Sequence, residues 1–167
     1  MPEISSRLVR FTGGFSMKLA EALAERSDCQ VRLSELQKRL GRSARVQEGE
    51  QPAENATELM AEVERLFERQ LHLISAINRT NAKTVFEGKT TISDAIAERD
   101  VLGKKRDLIA TVAEAASVRQ DRSTKSEVKF VATLPVAQLQ KQIDQIARRY
   151  REVDTRLQEL NWKTELI

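Results

Sequence analysis

Few side chains in this sequence are suited to catalysis: 167 residues include one His, His72, and one Cys, Cys29. A di-metal centre in a helical bundle needs carboxylates on facing helices and two Glu-x-x-His pairs, each spaced so that both ligands leave the same helix face. His72 follows Glu68 by four residues and stands between Leu71 and Leu73, off the apolar seam, which suits a flank residue better than a ligand. Ser–His–acid or Cys–His catalysis would have to use the same imidazole, and no local motif supports it. Gly88-Lys89-Thr90 looks like the end of a phosphate loop, but that loop needs a Gly five residues earlier and a strand in front. Position 83 is Lys and the preceding pattern is helical, so a hairpin turn accounts for Gly88. No metal and no cofactor follow from these residues, and an enzyme is the less favoured reading.

One polar group is better placed for binding. Asn78, Asn81 and the Thr residues around them close a helical pattern, where they serve as caps and bridges. With Arg99, Asp100 and Arg122 they could also form a site for a polar or anionic ligand. Arg99 and Arg106 interrupt an otherwise apolar seam and require acidic partners or a subunit interface, because unpaired buried charge is costly.

The net charge of +3 raises the question of nucleic acid. Bases exceed acids by only one in each of residues 1–56, 93–134 and 135–167, and the two are equal over 57–92. Lys104-Lys105-Arg106, with Arg119, Arg122, Lys125 and Lys129 after it, is the densest basic stretch, but Asp107, Asp121 and Glu127 dilute it. Nucleic-acid binding is therefore a secondary alternative. A single Cys allows no internal disulfide, and the longest stretch without a charged side chain, 130–140, is too short to span a membrane. Without a secretory pattern at the start, the expected location is the cytoplasm.

The elements that would position these residues are mainly helical. Residues 1–16 show no helical period, so they read as a disordered extension with Met17 as the native start, and 17–167 as one domain. Leu19, Ala22, Arg26, Cys29, Leu33, Leu36 and Leu40 repeat at 3,4 spacing, giving a first helix that stops at Gly41. A polar loop over 41–56 follows. Asn55 or Thr57 caps a second helix to about Asn81, with Leu59, Val63, Leu66, Leu73 and Ile77 on the seam. Met60, Phe67, Leu71 and Ile74 lie beside it, an apolar arc wide enough to predict a central, covered helix. Val85 to Ile92 reads as a small hairpin near 84–92, a third helix runs from about Ser93 to Ser117, and 127–133 is expected to add a strand. The fourth helix carries the cleanest seam: Val136, Leu139, Ile143, Ile146, Tyr150, Val153, Leu157 and Leu160. The fold class is thus an elongated antiparallel four-helix bundle with a small antiparallel β element.

The motifs Met17-Lys-Leu-Ala-Glu-Ala-Leu, Val46-Gln-Glu-Gly-Glu, Asp94-Ala-Ile-Ala-Glu-Arg-Asp100, Ser126-Glu-Val-Lys-Phe-Val131 and Gln158-Glu-Leu-Asn-Trp-Lys-Thr-Glu-Leu166 occur in this order. Together they resemble a small bacterial family labelled septicolysin and otherwise of unknown function. The resemblance spans 17–166 and implies a mostly helical bacterial protein. The label points to a cytolysin, yet thiol-activated cytolysins are large β-rich proteins with a Trp-rich undecapeptide; one Trp and no such segment disfavour that activity here.

The function these readings favour is a structural or protein-interaction module that forms a homo-oligomer, with Ile143, Ile146, Tyr150, Val153, Leu157 and Trp162 as the interface. The alternative is a ligand site or enzyme around Asn78, Asn81, Arg99, Asp100 and Arg122.

Overall fold

The structure, a computed structural model, describes residues 16–117 and 131–167. Four helices occupy most of it: α1 (Leu19–Ser43), α2 (Ala56–Lys83), α3 (Ile92–Ala116) and α4 (Val136–Lys163). Between α2 and α3 lie β1 (Val85–Glu87) and β2 (Thr90–Thr91), a two-stranded antiparallel hairpin. The protein is a mainly-α bundle with a small β hairpin.

Local chemistry sets the helix ends. The Asn55 side chain accepts from the Thr57 and Glu58 backbone N–H groups, and Thr91 with Asp94 forms a reciprocal capping box at the start of α3. Gly88 takes a positive φ of 57° in the hairpin turn, which a residue without Cβ adopts freely. Gly41 does not stop α1, which runs on to Ser43. Ser43 is buried and Arg42 lies in the last turn, where a cation is favoured, so packing outweighs the weak helix propensity of Gly.

The bundle consists of two antiparallel helical hairpins, α1 on α2 and α3 on α4. They are joined at one end, where α1 and α3 begin and α2 and α4 finish. There the Leu19 N–H donates to the Thr164 carbonyl at 2.9 Å, the Leu166 N–H to the Met17 carbonyl at 2.8 Å, and the Ile92 N–H to the Thr84 carbonyl at 3.0 Å. Thr80, wholly buried, donates to the Ala76 carbonyl and accepts from the Ile167 N–H at 3.0 Å, tying the C-terminal tail to α2. Leu19, Ile77, Phe86, Ile92, Ala95, Val153 and Leu157 belong to the same hydrophobic core.

Two further expectations change, and a third falls mostly outside the described residues. Residues 131–133 carry no strand, and 127–130, like residues 1–15 of the expected extension and Arg122, lie outside the described residues; the described sheet has two strands. α2 is not covered all round: Leu59, Leu66 and Leu73 are buried, while Met60, Phe67, Leu71 and Ile74 face outward. α2 packs mainly against α1, and a helix with one main neighbour buries one stripe while the rest of its apolar arc stays open. The α4 seam is largely spent inside the chain, with Ile146, Val153 and Leu157 buried and Ile143 and Tyr150 half-buried.

Leu73 is 0% exposed, so Leu73→Ala is expected to lower unfolding free energy by about 2–5 kcal/mol in a urea titration. Val101→Ala, at an exposed site on α3, is expected to change it by no more than about 0.5 kcal/mol.

Candidate interaction face

The α1–α2 hairpin has two unlike sides. On one, ion pairs lock the helices in register: Arg69 grips Glu25 with both nitrogens, at 2.6 and 2.7 Å, and Arg32 meets Glu62 at 3.0 Å. Cys29 lies buried beneath this side, next to Leu66. Arg39 clasps Glu54, fastening the loop after α1 onto the helix. Opposite is a groove of about 460 Å³ lined by Gln30, Leu33, Ser34, Gln37 and Leu40 of α1 and Val63 and Phe67 of α2. None of these side chains is charged. Phe67 is 53% exposed and Leu71 is 67% exposed, and Met60 and Ile74 extend the same strip along α2.

This face arises from the sequence in a simple way. α2 carries apolar residues at two adjacent sets of heptad positions, one turned to α1 and one turned away. The excess width of the arc was the available signal, but an apolar arc reads the same whether a neighbour comes from within the chain or from outside it.

Among the described residues, which leave out Arg122, the expected polar site is not assembled. Arg99 donates to Asp100 at 3.0 Å and reaches across to Asp154 on α4 at 3.3 Å. Burial works against its charge, but these carboxylates outweigh the effect and raise its pKa. Its seam position is therefore explained by an ion pair between helices. Asn78 is exposed and Asn81 half-buried, and among the described residues no hydrogen bond joins either to Arg99 or Asp100. Arg106 pairs with Asp107 at 2.8 Å and lies over the Tyr150 ring, 5.5 Å from its centre. Tyr150 also packs close to Gly103, so it belongs to the contact between α3 and α4. Trp162, at 68% exposure, is the one residue of the expected interface set that stands free on the surface. His72 is exposed, and among the described residues no three His, Cys, Asp or Glu side chains cluster as a metal site. Nor is any helix there long and apolar enough to cross a membrane.

Fold and face together define a small, mainly helical protein with one charge-locked side and one bare apolar side. The chain belongs to the Family of unknown function (DUF6847), whose model matches residues 26–166. It is similar over 92% of its length, and 100% of the other chain, to a functionally unknown conserved protein from Corynebacterium diphtheriae seen in a crystal structure. The two share 46% identity at a TM-score of 0.85. No curated protein matches the chain.

The Arg69 hydrogen bonds hold Glu25 below its usual carboxylate pKa, against an opposing contribution from burial. A group with a depressed folded pKa stabilises the fold above its unfolded value and loses that contribution as pH falls through the folded one. Glu25→Gln is thus expected to lower the urea midpoint near neutral pH, with the gap to the parent closing as the buffer is taken down to about pH 3.

Proposed function

We propose that this protein is a cytoplasmic structural or protein-interaction module that self-associates through the bare face of the α1–α2 hairpin. The observation that carries the reading is the uncharged groove between Leu33 and Val63, continued by the exposed strip of Met60, Phe67, Leu71 and Ile74. Exposed apolar surface on this scale marks a contact site, since leaving it in water costs about 25 cal/mol per Å². A second copy suits it because a two-fold interface lays a patch against itself: a patch of one sign repels its own copy, whereas a neutral patch does not. The opposite side of the hairpin is charged, and there Glu25 pairs with Arg69 and Arg32 with Glu62 within the chain.

Light scattering of the purified protein is expected to show a dimer or larger assembly at tens of micromolar. Phe67→Glu and Leu71→Glu should each shift it to monomer while leaving the helical circular dichroism unchanged, because both side chains lie outside the core. A parent protein that is strictly monomeric at that concentration overturns the reading.

A further inference from the structure

We infer that the exposed strip of α2 on one copy seats on the outer face of α3 of a second copy, with Phe67 lodged among Val101, Lys104, Lys105 and Leu108. The inference rests on the self-association proposed above and names the surface of the second copy that α2 meets. α3 is apolar on opposite sides: Ile92, Ala95 and Ala113 are buried, whereas Val101 and Leu108 are 62% and 66% exposed. It packs mainly against α4, so its outer side lacks the neighbour that a helix apolar on two sides requires. Among the described helices other than α2, α3 alone exposes two large apolar side chains; α1 exposes Val31 and α4 exposes Trp162. Residues 101, 104, 105 and 108 stand at i, i+3, i+4 and i+7, the four corners of the hole that takes one side chain from a packed helix. The two apolar corners lie along α3, and the two Lys stems line its sides, where their methylene groups cover an aromatic ring.

Charge selects the same pairing. The groove between α1 and α2 is neutral and admits a second copy without choosing its surface. The flank of α2 farther from α1 makes the choice: Glu64 and Glu68 are exposed there, beside Phe67 and Leu71, and neither enters an ion pair among the described residues. On α3 the reverse holds. Asp94 caps its own helix, and Glu98, Asp100 and Asp107 pair with Arg149, Arg99 and Arg106. Lys104 and Lys105 are left exposed, with no ion pair among the described residues. One Lys stands on each side of the line from Val101 to Leu108, so a cation meets the acidic flank of α2 whichever way the two helices run. By contrast, α2 laid antiparallel on its own copy about a two-fold axis keeps each flank on its own side and sets Glu64 and Glu68 against like charge.

The experiment uses the full chain, with dissociation constants measured by analytical ultracentrifugation. Leu108→Glu is expected to weaken self-association by at least about tenfold, as Phe67→Glu does, with the helical circular dichroism unchanged because Leu108 lies outside the core. Mixed in equal amounts, these two variants are expected to bind each other at least about tenfold more tightly than either binds itself, since one copy keeps an intact α2 strip and the other an intact α3 face. Lys104→Glu together with Lys105→Glu is expected to weaken the parent assembly by about tenfold, and adding Glu64→Lys and Glu68→Lys to the same chain to restore it to within about threefold. A Leu108→Glu protein or a Lys double variant that assembles like the parent, a mixture that stays monomeric, or a quadruple variant that does not recover overturns this pairing. In those outcomes a parent assembly disrupted by Phe67→Glu leaves the self-association reading intact; a monomeric parent overturns both.

Discussion

Everything in this molecule depends on the closure of one end of the bundle, where the starts of α1 and α3 meet the ends of α2 and α4. Each helical hairpin alone is a two-layer object that buries one stripe per helix and leaves the rest wet. At the closed end, Leu19, Ile77, Phe86, Ile92, Val153 and Leu157 share a core, and short backbone bridges from Met17 and Leu19 to the C-terminal tail fix it. Thr80 is the polar residue that makes this arrangement tolerable. Its buried hydroxyl donates to its own helix and accepts from Ile167, so neither group is left unpaired in an apolar setting.

Away from that end the hairpins solve their packing separately and differently. Glu25–Arg69 and Arg32–Glu62 hold α1 and α2 in register along one side, leaving the other side without charge. Between α3 and α4 the equivalent task falls to Arg99–Asp154 and Glu98–Arg149, together with Tyr150 seated by Gly103. Partly exposed pairs of this kind are individually weak, and their main effect is to select one sliding position among those that a repeating apolar seam allows.

The helices were legible because 3,4 spacing survives over whole elements, and each observed helix lies within a few residues of its predicted span. The hairpin was legible from β-branched residues flanking a Gly. The partners of the seams were not. Ile146 and Val153 offered the same pattern for a contact within or between chains, and three-dimensional placement assigned them to the chain's own core. Arg99 and Arg106 broke a seam in the one-dimensional reading, and nothing local in the sequence named Asp154 or Tyr150, dozens of residues away, as the groups that accommodate them. Conversely, the width of the α2 arc was visible, but its exposure depended on α2 packing mainly against α1 alone.

The closed end also imposes an order on the chain's assembly. Contacts within the α1–α2 hairpin join residues close in sequence, whereas closure brings Met17 and Leu19 to Thr164 and Leu166, nearly the full described length apart. Local contacts form faster than distant ones, and a chain is synthesised from its N-terminus. The residues of the first hairpin, Phe67 and Leu71 among them, are therefore synthesised while α4 and the tail that secures Thr80 are still unmade. Those apolar side chains leave the ribosome before the elements that close the bundle exist.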